Sequence, residues 1–370
     1  ALTFTRASTA TCTKGNTTAS IANGDLVTCA AAQPRVMPGG DGTGVLGLLV
    51  ESSRVNSAIQ SQALDNAAWT KTSAGAGAVP TVTADFAVAP DGTTTAERVQ
   101  FSACPAAGDE SAVTSGVISL SPASSSVFVK GNGTSGSISM CIYQGSLVGA
   151  CSPCAFNSST WTRCVKENLV STGGNPVWFG CENRTTIFTG ASNTGAADVL
   201  VWGAQAELGA YATSYIPTTT VAVTRAGETA SVAIASAVRA SGSLAFTSVT
   251  TAGSLGFNAG WVVTAGPLVG NFRDGFVGFS SAAVGSFYSN ATQGFANAVI
   301  TAAGVNRHAG YWGAGGNGFL INGSGSTAAG VADTVATAWV NIGSYQAVEA
   351  VTQPGVYKAI CVDPDPSRCR

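Results

Sequence analysis

The sequence predicts an all-β chain: two β-sandwich (jelly-roll) domains with an N-terminal docking segment. Three observations carry this. Short runs alternate apolar and polar residues, clusters of Gly, Asn and Ser punctuate them every eight to twelve residues or so, and helix-period patterns are scarce. Such spacing belongs to sandwiches and jelly rolls.

The strands follow in chain order. Ser126–Lys130 reads as one, and Ser137–Tyr143 as another, with Ile138, Met140 and Ile142 on one face. Asp198–Ala204 is a third. The second half repeats the style at Gly242–Phe246, Gly275–Phe279, Gly318–Gly323 and Gly355–Cys361. No tandem repeat of fixed period is found. The pattern closes at Thr220–Arg225, and an Ala/Ser-rich stretch runs on to Gly242, which places a domain boundary near 222–242. The expected division is 1–60 as a segment packing on the first sandwich, 61–230 as the first sandwich and 231–370 as the second.

Composition narrows the function. Charged residues make up 10% of the 370, against about 25% in an ordinary soluble domain. With 17 Lys and Arg and a net charge of −2, the chain cannot neutralise many phosphates, which argues against nucleic-acid binding. No apolar run approaches a membrane span, so membrane insertion is not expected. A hydrophobic share of 45% is enough for a core and too high for disorder. The opening Ala1-Leu2-Thr3-Phe4 has neither the charged nor the apolar region of a signal peptide, so either a leader was removed or only an initiator Met was lost.

Ten cysteines point to an oxidised, extracellular chain. All ten are disulfide candidates: Cys12, Cys29, Cys104, Cys141, Cys151, Cys154, Cys164, Cys181, Cys361 and Cys369. Cys12 with Cys29 and Cys361 with Cys369 are the simplest end pairs; the middle six allow fifteen pairings. Zinc on Cys141, Cys151, Cys154 and Cys164 is the competing reading, but no second CxxC supports it, so no metal and no cofactor is expected.

Catalytic signals are few. Gly131-x-Gly133-x-x-Gly136 matches a dinucleotide fingerprint, yet a strand pattern follows where a helix is needed, so a hairpin loop is expected. Gly313-x-Gly315-x-x-Gly318 fails in the same way. The single His, His308, sits in a strand-like run. The acids to inspect for a two-carboxylate hydrolase are Glu51, Asp198, Glu207 and Asp274, each also readable as a strand-end or turn acid. Asp363-x-Asp365 is too small a set for Ca²⁺ alone. No catalytic residue is expected.

Aromatic residues are the better lead. Sugars stack their apolar faces on flat rings. By alternation Trp178 points away from Val177 and Phe179, and Tyr143 away from Ile142, so these two are the candidate glycan-binding residues. Trp69, Trp161 and Trp202 are expected in the core.

Three separated segments carry a family resemblance. They are Phe4–Thr11 with Pro34-Arg35 and Gly47–Asn56; Ala68-Trp69-Thr70 with Ala89–Ala96; and Val201–Glu207 with Ala212–Thr218 and Val223–Ala226. Together they resemble virion surface proteins of tailed bacteriophages, of the tail-fibre and head-fibre kind, whose jelly roll is similar to a carbohydrate-binding module. Asn306–Trp312, Phe319–Gly323 and Val340–Ser344 resemble a concanavalin-type, laminin-G-like sandwich. Two departures are the Cys density and the lack of a long N-terminal shaft. The resemblance implies a non-enzymatic structural protein at the virion surface, a homo-oligomer (a trimer by the fibre analogy) partnered by other virion proteins and by host-surface glycan. A subunit of a bacterial extracellular filament and a secreted glycan-binding module are the alternatives.

Overall fold

The computed structural model describes residues 2–14, 21–38, 46–145, 147–171, 173–191, 193–209, 211–233, 242–250, 256–263, 276–281, 284–289, 294–299, 304–312, 317–321, 324–328, 337–342 and 355–363. Every regular element among them is a strand. In chain order these are β1 (Leu2–Thr5), β2 (Ala10–Thr13), β3 (Leu26–Cys29), β4 (Arg35–Pro38), β5 (Leu46–Val50), β6 (Arg54–Asn56), β7 (Thr70–Ala74), β8 (Thr81–Ala87), β9 (Ala96–Phe101) and β10 (Glu110–Thr114). Then come β11 (Leu120–Gly131), β12 (Gly136–Gln144), β13 (Leu147–Phe156), β14 (Thr162–Ser171), β15 (Trp178–Glu182), β16 (Phe188–Thr189), β17 (Ala197–Leu208), β18 (Val223–Arg225), β19 (Thr229–Ala233) and β20 (Gly242–Thr250). The rest are β21 (Gly256–Val263), β22 (Phe276–Ser281), β23 (Val284–Ser289), β24 (Gly294–Val299), β25 (Gly304–Trp312), β26 (Asn317–Ile321), β27 (Ser324–Ala328), β28 (Thr337–Ile342) and β29 (Gly355–Asp363). The all-β expectation holds.

The chain forms two compact units, one of residues 10–28 and 54–225, the other of 1–9, 29–53 and 226–370. The first unit is a sandwich of a six-stranded sheet, β16-β13-β12-β15-β10-β7, and a five-stranded sheet, β14-β11-β17-β9-β8. Alternation decides what fills the gap between them. Val99, Phe101, Val127, Val129, Val199 and Val201 come from the five-stranded sheet, and Val113, Ile138, Met140 and Phe179 from the six-stranded one. All are buried, and each strand contributes every second residue.

The five-stranded sheet is covered on its other face as well. Phe128, Leu200 and Trp202 point there and cluster with Leu26, Trp161 and Tyr215. Residues 21–28 form part of this cover. Ile21 bridges to Trp161, and the Trp161 indole N–H donates to Asn23 Oδ1 at 2.9 Å. Burial on both faces is why β17 reads as an almost unbroken buried run. Trp69, Trp161 and Trp202 are core residues, at 2%, 1% and 1% exposure.

Residues 131–136 correct one expectation. They are a corner and not a hairpin: β11 pairs with β14 and β17, whereas β12 pairs with β13 and β15 of the other sheet. The glycines serve that corner. A Cβ on Gly131 would collide with the Thr134 carbonyl oxygen, and Gly133 has φ +75°.

The second unit contains two seven-stranded sheets, β1-β19-β28-β21-β22-β23-β24 and β27-β26-β25-β20-β29-β5-β4. The N-terminal strands are built into both. Leu2–Thr5 pairs with Val232–Thr229, and Leu48–Val50 pairs with Tyr357–Gly355. The structure therefore distributes residues 1–60 differently from the single segment expected at its N-terminus: 10–28 belong with the first sandwich, and 1–9 and 29–53 with the second. The two units divide after Arg225.

A buried ion cluster ties these pieces of the second unit. Glu228 Oε1 accepts from Arg6 Nη1 at 2.7 Å and from Arg35 Nε at 2.6 Å. Its Oε2 accepts from Arg35 Nη2 at 2.7 Å and from the Glu51 backbone N–H at 2.8 Å. Arg35 Nη2 also reaches Glu51 Oε2 at 2.6 Å. Burial works against the Arg35 charge, but Glu51 and Glu228 more than offset it, so its pKa is raised.

Within the first unit, Glu97 is 1% exposed and accepts from the Asp65 backbone N–H at 3.0 Å. Burial, with help from the Asp65 side chain, pushes its carboxyl up to about 8 from 4.5. The folded state thus holds a proton that the unfolded chain releases. The associated stability is full below about pH 4.5 and is lost as pH rises through about 8. We expect this unit to lose roughly 4 kcal/mol between pH 5 and 8.5, and Glu97→Gln to remove most of that slope. Urea unfolding at a series of pH values checks this; a slope unchanged in the variant would refute it.

Candidate functional site

The outer face of the six-stranded sheet carries the candidate site. Its parity follows from the register. Met140 is opposite Phe179, and both point into the core; Cys141 is opposite Trp178, and both point outward. Tyr143, two residues beyond Cys141, shares the outward face. The expectation that Tyr143 and Trp178 face away from the core is therefore met in the geometry, and the structure brings the two together.

Their rings lie 5.8 Å apart at a 52° tilt. Phe188 completes the triad, with its ring 5.8 Å from Tyr143 and 5.4 Å from Trp178. The Cys141–Cys151 disulfide belongs to the same cluster, joining directly opposed residues of β12 and β13. Gly149 makes room for Phe188: a Cβ there would meet the ring at 2.7 Å.

Charged residues sit beside the triad. The Arg184 guanidinium lies 5.1 Å from the centre of the Trp178 ring and 5.7 Å from that of Phe188, within cation–π range. Its Nε and Nη2 donate to the two oxygens of Glu182 at 2.8 and 2.6 Å. Its Nη1 pairs with Glu110 Oε2 at 2.9 Å. Glu110 and Glu182 are themselves opposite residues of β10 and β15. Burial works against the Arg184 charge, yet Glu182 and Glu110 hold its pKa above the ordinary value. Burial pushes the Glu110 carboxyl up to about 7, with Arg184 pulling it down and Glu182 pushing it further up.

Among the described residues, two buried polar atoms on this face lack a hydrogen-bond partner: Glu110 Oε1, an acceptor, and Trp178 Nε1, a donor. Tyr143 and Trp178 are half-buried, so the face is a packed aromatic ledge with partly open rings. Sequence reasoning missed Phe188, Arg184, Glu110 and Glu182. Phe188 and Arg184 lie beyond the end of β15, where alternation does not reach, and the two acids acquire meaning only through strand pairing.

The cysteines resolve into staples. Cys104–Cys181 closes a separation of 77 residues, and Cys141–Cys151 and Cys154–Cys164 close separations of 10. Cys154 is on β13 and Cys164 on β14, so this bond crosses between the two sheets. Cys12 and Cys29 are disulfide-bonded as well, and among the described residues no cysteine is free. The four cysteines weighed for zinc are thus spent in two disulfides. The Cys369 call lies outside the described residues, as does the side chain of Cys361. Such bonding fits a chain that matures outside a reducing cytosol.

Of the acids considered for hydrolysis, Asp198 and Glu207 of the first unit stand apart. Asp198 pairs with Arg98, and Glu207 accepts from the Thr213 N–H and hydroxyl. The two lie on the same strand nine residues apart, about 30 Å at about 3.3 Å per residue. Glycosidase carboxylates stand about 5 to 9.5 Å apart. Glu51 belongs to the ion cluster of the second unit. Asp274 and Asp365 lie outside the described residues.

No protein-family model matches the chain, and no curated protein matches it. Among solved structures, the mouse laminin alpha1 chain, domains LG4-5, is similar over 66% of this chain and 82% of that chain, at 11% identity and a TM-score of 0.27. At that score the fold rests on the strand register given above.

Proposed function

We propose that this chain is a non-enzymatic structural protein of a phage particle surface, as tail fibre, head fibre or decoration, that attaches to host-surface glycan through the Tyr143–Trp178 face. The observation that carries the glycan reading is the half-buried pair of Tyr143 and Trp178, backed by the buried ring of Phe188 on a sheet face beside Arg184, Glu110 and Glu182. Rings offer stacking surface, and the neighbouring polar groups can meet sugar hydroxyls. The phage setting rests on the sequence resemblance. Weak single sites become effective when a trimer, and many trimers per particle, present them together.

Binding of the full chain to immobilised host glycan tests the site. Tyr143→Ala is expected to weaken binding at least tenfold, about 1.4 kcal/mol. Trp178→Phe keeps an aromatic ring against Phe188 but shrinks the stacking surface, and should weaken binding while leaving the melting temperature within a few degrees. Unchanged binding in both variants would remove this face as the site. Immunogold labelling of intact particles tests the location; unlabelled particles would end the virion assignment.

A further inference from the structure

We propose that the Trp178 face selects uncharged sugars and rejects acidic ones, because Arg184, the cation beside its rings, is already neutralised by two carboxylates. This rests on the glycan reading above and names the class of sugar. Arg184 spends Nε and Nη2 on Glu182 and Nη1 on Glu110. Its own backbone N–H donates to Glu182 Oε1 at 3.0 Å. With both carboxylates ionised the trio carries one surplus negative charge.

The elements packed around the trio do not cancel that surplus. From β7 Thr72 bonds Glu110 and is uncharged. From β12 comes the ring of Tyr143. From β16 comes Phe188. A sugar carboxylate brought to this face therefore meets like charge in a partly dehydrated setting, where it is weakly screened.

The test compares binding of the full chain to neutral hexose oligosaccharides and to matched oligosaccharides ending in a uronic or sialic-type acid, at pH 8 and low salt. Neutral sugars are expected to bind at least tenfold more tightly. Glu110→Gln removes the surplus charge and should raise the acidic-to-neutral affinity ratio at least fivefold. Lowering the pH from 8 to 6 should raise the same ratio in the unaltered protein, since Glu110 takes up its proton near 7 while the sugar acids stay ionised. That arm needs no variant to fold. Acidic sugars bound as tightly as neutral ones would overturn the selectivity and leave the glycan reading standing, as would a ratio that moves in neither arm. No binding of either class would overturn the glycan reading, and the selectivity with it.

Discussion

Replacing Glu228 by Ala is expected to destabilise the second unit by about 3–5 kcal/mol, the usual cost of stranding a buried charge. Glu228 is fully buried, and both of its oxygens accept two hydrogen bonds. Removing it leaves Arg6 and Arg35 with Glu51 as the remaining carboxylate of the cluster, one positive charge in excess. The arginines come from the N-terminal stretch and Glu228 from the start of the C-terminal one, so the loss falls where β1 meets β19 and where β4 and β5 join their sheet. Hydrogen exchange of the β1 and β19 amides, together with denaturant unfolding, measures the effect. Glu228→Gln keeps the shape and one acceptor and should recover only part of it. A loss below about 1 kcal/mol in Glu228→Ala would mean that the cluster is not what holds these strands.

Replacing both Cys104 and Cys181 by Ala is expected to cost about 4.5 kcal/mol, the largest effect of any disulfide defined here. The reason is loop length. A closed loop of 77 residues removes more freedom from the unfolded chain than one of 10, for which about 2.7 kcal/mol is expected. Both sulfurs are buried, at 0% and 1% exposure, so a small cavity adds to the loss. Paired replacements at each bridge, compared by urea unfolding, give the ranking. If removing Cys141–Cys151 or Cys154–Cys164 proved costlier, chain entropy would not be the dominant contribution.

Much of the candidate site was legible in one strand at a time. The parity of Ile138, Met140 and Ile142 sets Tyr143 outward, and Val177 and Phe179 do the same for Trp178. Whether the two rings meet depends on β12 lying beside β15 with Cys141 opposite Trp178, and no pattern within either segment encodes that register. Arg184 carries no signal in its own segment, and strand pairing sets Glu110 opposite Glu182 beside it. The Gly131–Gly136 run was rightly read as no phosphate loop, yet wrongly as a hairpin, because a tight Gly corner looks the same whether the next strand returns to its own sheet or crosses to the other.

The same line divides the whole protein. By itself the sequence determined that the chain is all-β and that Trp69, Trp161 and Trp202 are core, since each of these is written in local alternation, size and punctuation. Tertiary structure alone decided which cysteines join and which unit each part of the first fifty-three residues enters. It also decided which acids hold an arginine. Strand pairing and buried ion pairs link residues two hundred or so positions apart, as Arg6 is linked to Glu228, and their energy depends on a partner that neither neighbourhood announces.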